Sequence, residues 1–173
     1  YKNTNDLNSL TELFVNGYEN FKLYEKPQDV NFDGMQITLL PWINRENKEE
    51  FHKFVDNTKS EWLIGHLELH GYEVIRGIKY DGGTDPELFK RFEQVLSGHF
   101  HCIQERGNIK YLGAPYQITF SDLGEKKGFY ILDTDTRELE FIENKKQMFY
   151  SIKYDDIASN YDNFIQKTHS KYK

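Results

Sequence analysis

Residues 62–66 read Trp-Leu-Ile-Gly-His, and residues 95–99 read Val-Leu-Ser-Gly-His. Each is a short apolar run of the kind that fills a buried strand, closed by Gly-His. Between them Pro86 can open a helix running through Arg91, with Thr84 or Asp85 as its cap. The unit then reads strand–helix–strand, which makes the two strands parallel neighbours in one sheet. Such sheets place ligand sites just beyond the carboxyl ends of their strands. Both strands would therefore deliver a histidine, His66 and His99, to the same end of the sheet. The glycine before each permits the backbone conformation that turns the imidazole into a shared crevice.

Working outward from this unit, Val30–Phe32 and Met35–Leu40 flank Asp33-Gly34, a dipeptide suited to the positive φ angles of a tight hairpin. Glu46 to Asn57 reads as an amphipathic helix with Phe51, Phe54 and Val55 inward. Near the start, Asn5 or Asp6 can cap a short helix carrying Leu7, Leu10, Leu13 and Phe14 on one side. Beyond the second Gly-His the chain turns β in character, with strands expected at Ile109–Leu112, Gly128–Asp133, Glu138–Ile142 and Met148–Lys153. Gly113-Ala114-Pro115 interrupts one of them and lets the backbone approach the His-bearing loop closely. The expected fold is mixed α/β (α+β), a sheet packed on another sheet in a sandwich flanked by helices. One domain would cover residues 1–154, with 155–173 as a tail or the start of a following segment.

Composition narrows the function classes. The 173 residues include 13 Phe, 12 Tyr and 2 Trp, ample for a core. A formal charge of −6 argues against a module that wraps nucleic acid with its whole surface, although a local nucleic-acid site stays open. Cys102 is the single cysteine, so no internal disulfide can form, as expected in a reducing compartment. The longest nearly apolar run, residues 37–43, is far short of the ~20 residues that cross a bilayer, and no signal-peptide pattern opens the chain. A soluble, cytoplasmic protein without membrane contact is expected.

The second Gly-His continues as Gly98-His99-Phe100-His101. If residues 99–101 are extended, His99 and His101 share one face. With His66 they form a set of three neutral imidazoles able to ligate a metal. His52 lies on the amphipathic helix, His70 in a loop and His169 in the polar tail, so their expected roles are structural or solvent-facing. Cys102 follows His101 and would point to the opposite face, into the core.

These residues carry a resemblance. Gly65-His66, then Ser97-Gly98-His99-Phe100-His101, then Tyr111-Leu112-Gly113-Ala114-Pro115, then Lys127 to Asp133 resemble the C-terminal part of a calcineurin-like metallophosphoesterase domain. More narrowly they are similar to the SbcD-type nuclease subunit of DNA double-strand-break repair complexes, and most of all to its phage recombination counterpart.

The resemblance implies metal-assisted hydrolysis of DNA phosphodiesters, as an exonuclease and endonuclease, at a site with two divalent ions, usually manganese. By the matching motifs His66 and His99 would bind one ion and His101 the other. It also implies an SbcC-type coiled-coil ATPase partner and a homodimer. The family's Asp-x-His, Gly-Asp-x-x-Asp and Gly-Asn-His-Asp motifs do not occur in this sequence. The bridging carboxylate and the general-acid histidine are thus expected upstream of Tyr1, and this stretch alone is expected to be inactive. Arg76 and Lys79, in the loop after His66, are candidate contacts to the DNA backbone. Two other readings remain open: a mononuclear zinc hydrolase using the three histidines, and a non-catalytic interaction module.

Overall fold

The computed structural model describes residue 18 and residues 20–152. The expected helix after Asn5 or Asp6 and the proposed boundary at residue 154 lie outside them. Strand β1 (Gln28–Phe32) and β2 (Met35–Leu40) form an antiparallel hairpin. It turns at Asp33-Gly34, with φ values of 49° and 96°. After helix α1 (Lys48–Asn57) and β3 (Trp62–Gly65), a small hairpin of β4 (Glu73–Ile75) and β5 (Ile78–Lys79) follows. Then come β6 (Gln94–Ser97), β7 (Gln104–Arg106), β8 (Ile109–Tyr111), β9 (Gly128–Leu132) and β10 (Leu139–Glu143).

Six strands make the main sheet, in the order β1-β2-β3-β6-β8-β7. Its centre is parallel: β2 pairs β3, β3 pairs β6 and β6 pairs β8 in parallel register. The register aligns Leu40, Gly65, Ser97 and Tyr111 in one row across four strands. Everything that follows this row emerges at the same end of the sheet. The expected parallel pairing of residues 62–65 with 94–97 is observed.

Side-chain alternation divides the core between the two faces. Leu63, Val95, Ile109 and Tyr111 face α1, packing with Phe51, Val55, Phe89 and Phe92 in the larger cluster. Met35, Ile37, Trp62 and Leu96 face the other way, against Leu132 and Leu139 of the β9–β10 ribbon. The ribbon is the second layer expected of a sandwich, two strands wide among the described residues. Complete burial of a side chain such as Leu63 or Val95 contributes about 1.5–3 kcal/mol. Asp29 anchors the helix-side edge, accepting hydrogen bonds from the hydroxyls of Thr38, Thr58 and Ser60 at 2.6–2.9 Å.

Several local expectations need correction. Residues 86–91 do not form an α-helix: a four-residue 3-10 turn, Pro86–Phe89, stands there, capped by the Asp85 carboxylate accepting from Glu87 N–H at 2.9 Å. Four residues are too few to offset the cost of helix nucleation. The amphipathic helix begins at Lys48, two residues later than expected, and Phe54 is half-buried. Residues 148–152 form no strand; the amides of Met148 and Phe149 donate to the Gln117 side-chain oxygen instead, each at 2.9 Å. No helix among the described residues is long and apolar enough to cross a membrane.

Candidate functional site

The row Leu40, Gly65, Ser97 is followed on three adjacent strands by rings. Trp42 comes two residues after β2, His66 one after β3 and His99 two after β6. They meet in one cluster: Trp42 lies 4.8 Å from His99 and 5.7 Å from His66 between ring centres, and His66 meets His99 edge-on at 5.2 Å. His101 is close enough that its charge would disfavour protonation of both other imidazoles.

The glycines act differently from expectation. Neither Gly65 nor Gly98 has a positive φ. Their role is space: a Cβ on Gly98 would stand 2.9 Å from His66 Nδ1, and one on Gly65 would stand 2.9 Å from the Leu40 carbonyl. The strained residue is His99 itself, at φ 82°. Residues 99–102 bend rather than extend, so His99 and His101 do not share a face by strand alternation.

Buried polar groups hold the backbone around these rings. Immediately after His66, Leu67 N–H donates to Ser97 Oγ at 2.9 Å. The buried Tyr111 hydroxyl donates to the Leu67 carbonyl at 2.9 Å and accepts from Leu69 N–H at 3.2 Å. Lys127 Nζ donates to the His101 carbonyl and to Asp122 Oδ1, both at 2.8 Å. The other Asp122 oxygen accepts from the Ile118 and Thr119 amides and lies 3.5 Å from His101 Nδ1, slightly beyond hydrogen-bond length. Gly113, at φ 73°, leaves the room this close approach needs: a Cβ there would stand 2.7 Å from Ile103 and 3.1 Å from the His101 carbonyl. That is the approach expected of Gly113-Ala114-Pro115.

The electrostatics suit metal ligation. Desolvation holds the His66 imidazole below the usual histidine range, and the neighbouring His99 and His101 add to it. Desolvation also lowers His99, outweighing the opposing pull of Glu68, whose carboxylate lies 3.7 Å from His99 Nε2. Both rings therefore keep the neutral lone pairs that a metal requires. Two imidazoles sharing one ion at ~2.1 Å have ring centres about 5 Å apart, and the His66–His99 separation of 5.2 Å fits that. Among the described residues no three His, Cys, Asp or Glu side chains close around one point as a finished metal site. The donors fit as part of a metal centre rather than as the whole of one.

The remaining candidates fall elsewhere. His70 Nδ1 pairs with the Asp81 carbonyl at 3.0 Å in an exposed loop. His52 is half-buried on α1. Cys102 is buried, and burial together with Glu125 pushes its thiol up to about 11, leaving it unreactive near neutral pH. Arg76 and Lys79 are exposed on the β4–β5 hairpin, a pair of strands the sequence did not announce. The parts played by Trp42, Glu68, Asp122 and Lys127 were not anticipated. Trp42 stands at the end of a strand, as His66 and His99 do, and the same rule applied to residues 35–40 would have found it.

No family model matches the chain. It is 38% identical over 154 residues to exonuclease subunit 1 of Enterobacteria phage T4, a match covering 89% of this chain and 45% of that protein. It is 28% identical over 155 residues to the SbcD component of nuclease SbcCD from Staphylococcus epidermidis, covering 70% of this chain and 41% of that one. The Staphylococcus saprophyticus protein of the same name is 29% identical over 130 residues, 67% and 32% respectively. The chain thus spans less than half the length of the relatives it matches. Through these matches, and with the order of motifs carried by its strand ends, it is a relative of the SbcD-type nuclease subunits.

Proposed function

We propose that His66, His99 and His101 form the histidine-bearing part of a divalent-metal centre that hydrolyses DNA phosphodiesters, within a protein acting as an SbcD-type nuclease subunit. The observation carrying this reading is the meeting of His66 and His99 beyond the ends of adjacent parallel strands, with His101 beside them. The relatives' names, an exonuclease subunit and two SbcCD nuclease subunits, support DNA as substrate and a second subunit as partner. An SbcC-type coiled-coil ATPase and a homodimeric assembly belong to the same proposal, as does a cytoplasmic location. Bound divalent ions, two of them and manganese by family resemblance, would supply charge stabilisation and water activation at the phosphodiester.

The chain's own part is to present neutral imidazoles in fixed orientations. His66 and His99 would serve one ion and His101 the other. Three neutral rings offset none of the four positive charges of two divalent ions, so an additional carboxylate or hydroxide must complete the centre. The three histidines are therefore insufficient alone.

In the full-length protein, His66→Ala is expected to reduce manganese-dependent cleavage of linear DNA roughly 100-fold or more, because the ion's contribution is worth several kcal/mol. His52→Ala, on α1 and outside the ring cluster, should leave it unchanged. Undiminished cleavage by a folded His66→Ala protein would sink the assignment. A smaller effect is expected on the hairpin: reversing the charges of Arg76 and Lys79 to Glu should weaken DNA binding and flatten its salt dependence by about one to two contacts' worth of slope. Equal slopes in a salt titration would remove both residues from the interface.

A further inference from the structure

We propose that Trp42 is a positioning residue of this site: its indole, wedged against His66 and His99, holds both imidazoles in the orientation that ligation requires. The inference rests on the metal-centre reading above and extends it to a residue outside the histidine set. Its first support is backbone strain. His99 is held at φ 82°, a conformation that costs a non-glycine residue on the order of 1 kcal/mol or more and persists only where the surroundings impose it. Its ring contacts are Trp42 at 4.8 Å, Phe100 at 4.8 Å and His66 edge-on at 5.2 Å, with the Glu68 carboxylate 3.7 Å from Nε2. Phe100 moves with His99 as its chain neighbour. Of the two rings that reach His99 from other strands, His66 is itself a ligand candidate, and the indole, at the shorter 4.8 Å, is the wall outside the histidine set.

The second support is the anchoring of Trp42 itself. Pro41 fixes the chain as it leaves β2. The Trp42 carbonyl accepts a hydrogen bond from Asn47 Nδ2 at 2.9 Å, while Asn47 Oδ1 accepts from Asn44 N–H at 2.8 Å and Asn44 Oδ1 accepts from Asn47 N–H at 3.1 Å. This reciprocal pair of asparagines locks the turn that carries the ring. The third support is a cost left standing: Trp42 Nε1 is buried with no hydrogen-bond partner. An unpaired buried donor costs about 1–3 kcal/mol, a penalty that phenylalanine would avoid. An indole placed there at that cost is accounted for by its large flat face, which touches both histidines at once. On its other side the His66 ring, which stays open to solvent, lies close over Gly98, where a Cβ would stand 2.9 Å from its Nδ1.

The test uses full-length protein labelled with 5-fluorotryptophan, the Trp42 resonance being the one lost in Trp42→Phe. Titrated with manganese, that resonance should broaden strongly, because an ion ~2 Å beyond the histidine nitrogens lies within ~10 Å of the indole; diamagnetic magnesium should not broaden it. Free-manganese measurement by electron paramagnetic resonance should show affinity falling about 10-fold in Trp42→Ala and recovering to within about threefold in Trp42→Phe, which keeps a flat ring. If Trp42→Ala fails to fold, Trp42→Leu, with apolar bulk but no ring, replaces it with the same expectation. Unchanged manganese affinity in a folded Trp42→Ala or Trp42→Leu protein, with broadening in the wild type intact, would overturn the positioning role and leave the metal centre standing. Absence of broadening, together with affinity indifferent to His66→Ala and His99→Ala, would overturn both.

Discussion

Lys127→Met in the full-length protein is expected to lower unfolding free energy by about 3–5 kcal/mol, the usual cost of removing one partner from a buried ion pair. Both side chains of the Asp122–Lys127 pair are nearly inaccessible, at 4% and 2% exposure, and their contact is 2.8 Å. Burial alone would raise the Asp122 pKa, but Lys127 and the amides of Thr119 and Ile118 outweigh it and bring the carboxyl down to about 2. A carboxyl lowered in the folded state contributes stability that is present above its unfolded value near 3.8 and is lost as pH falls toward the folded value. The contribution is about 2 kcal/mol. In chemical denaturation, the gap between wild type and Lys127→Met should therefore be widest above pH 5 and should narrow toward pH 2. Exchanging both residues for apolar ones, Asp122→Leu with Lys127→Met, should recover part of the loss, since the unpaired Asp122 charge is gone, while Glu125, 3.6 Å from Lys127 Nζ, and the Ile118 and Thr119 amides still lose their partners. A gap independent of pH, or a double variant as unstable as the single, would contradict this account.

His101→Ala should abolish manganese-dependent cleavage, by roughly 100-fold or more, while shifting the melting temperature by only a few degrees. The ring is partly open, at 35% side-chain exposure, so little packing is lost with it. The hydrogen bond from Lys127 goes to the His101 backbone carbonyl and survives the substitution. Loss of cleavage with the fold retained thus isolates the imidazole from the loop that carries it. Cleavage at the wild-type rate would remove His101 from the metal centre. Loss of cleavage together with global unfolding would instead assign the residue to the scaffold.

The two central strands were legible because residues 62–66 and 95–99 are short apolar runs closed by the same dipeptide, Gly-His, and their parallel pairing holds although the connection expected to be an α-helix is only a 3-10 turn. The hairpin at Asp33-Gly34 was legible for a similar local reason. What escaped was tertiary. Trp42 belongs to the site because β2 is a parallel neighbour of β3, and a strand read only as half of a hairpin gives no hint of its other edge. Asp122 and Lys127 look like ordinary surface charges in sequence, and only the folded chain shows them buried against the His101 loop. The bend at residues 99–102 opens with a positive φ at His99, a conformation that residue type does not report.

The order of strands also bears on how the protein assembles in time. The hairpins β1–β2, β4–β5, β7–β8 and β9–β10 join segments a few residues apart and can close early. The pairings that bring the rings together, β2 with β3 and β3 with β6, each wait on an intervening stretch of roughly twenty residues or more, and such loop closure slows folding. A partly folded chain would hold its hairpins and lack the crevice. Ion capture would then act as a late checkpoint, available only to molecules whose whole sheet is in register, and bound ion would stabilise the finished state over every intermediate by mass action.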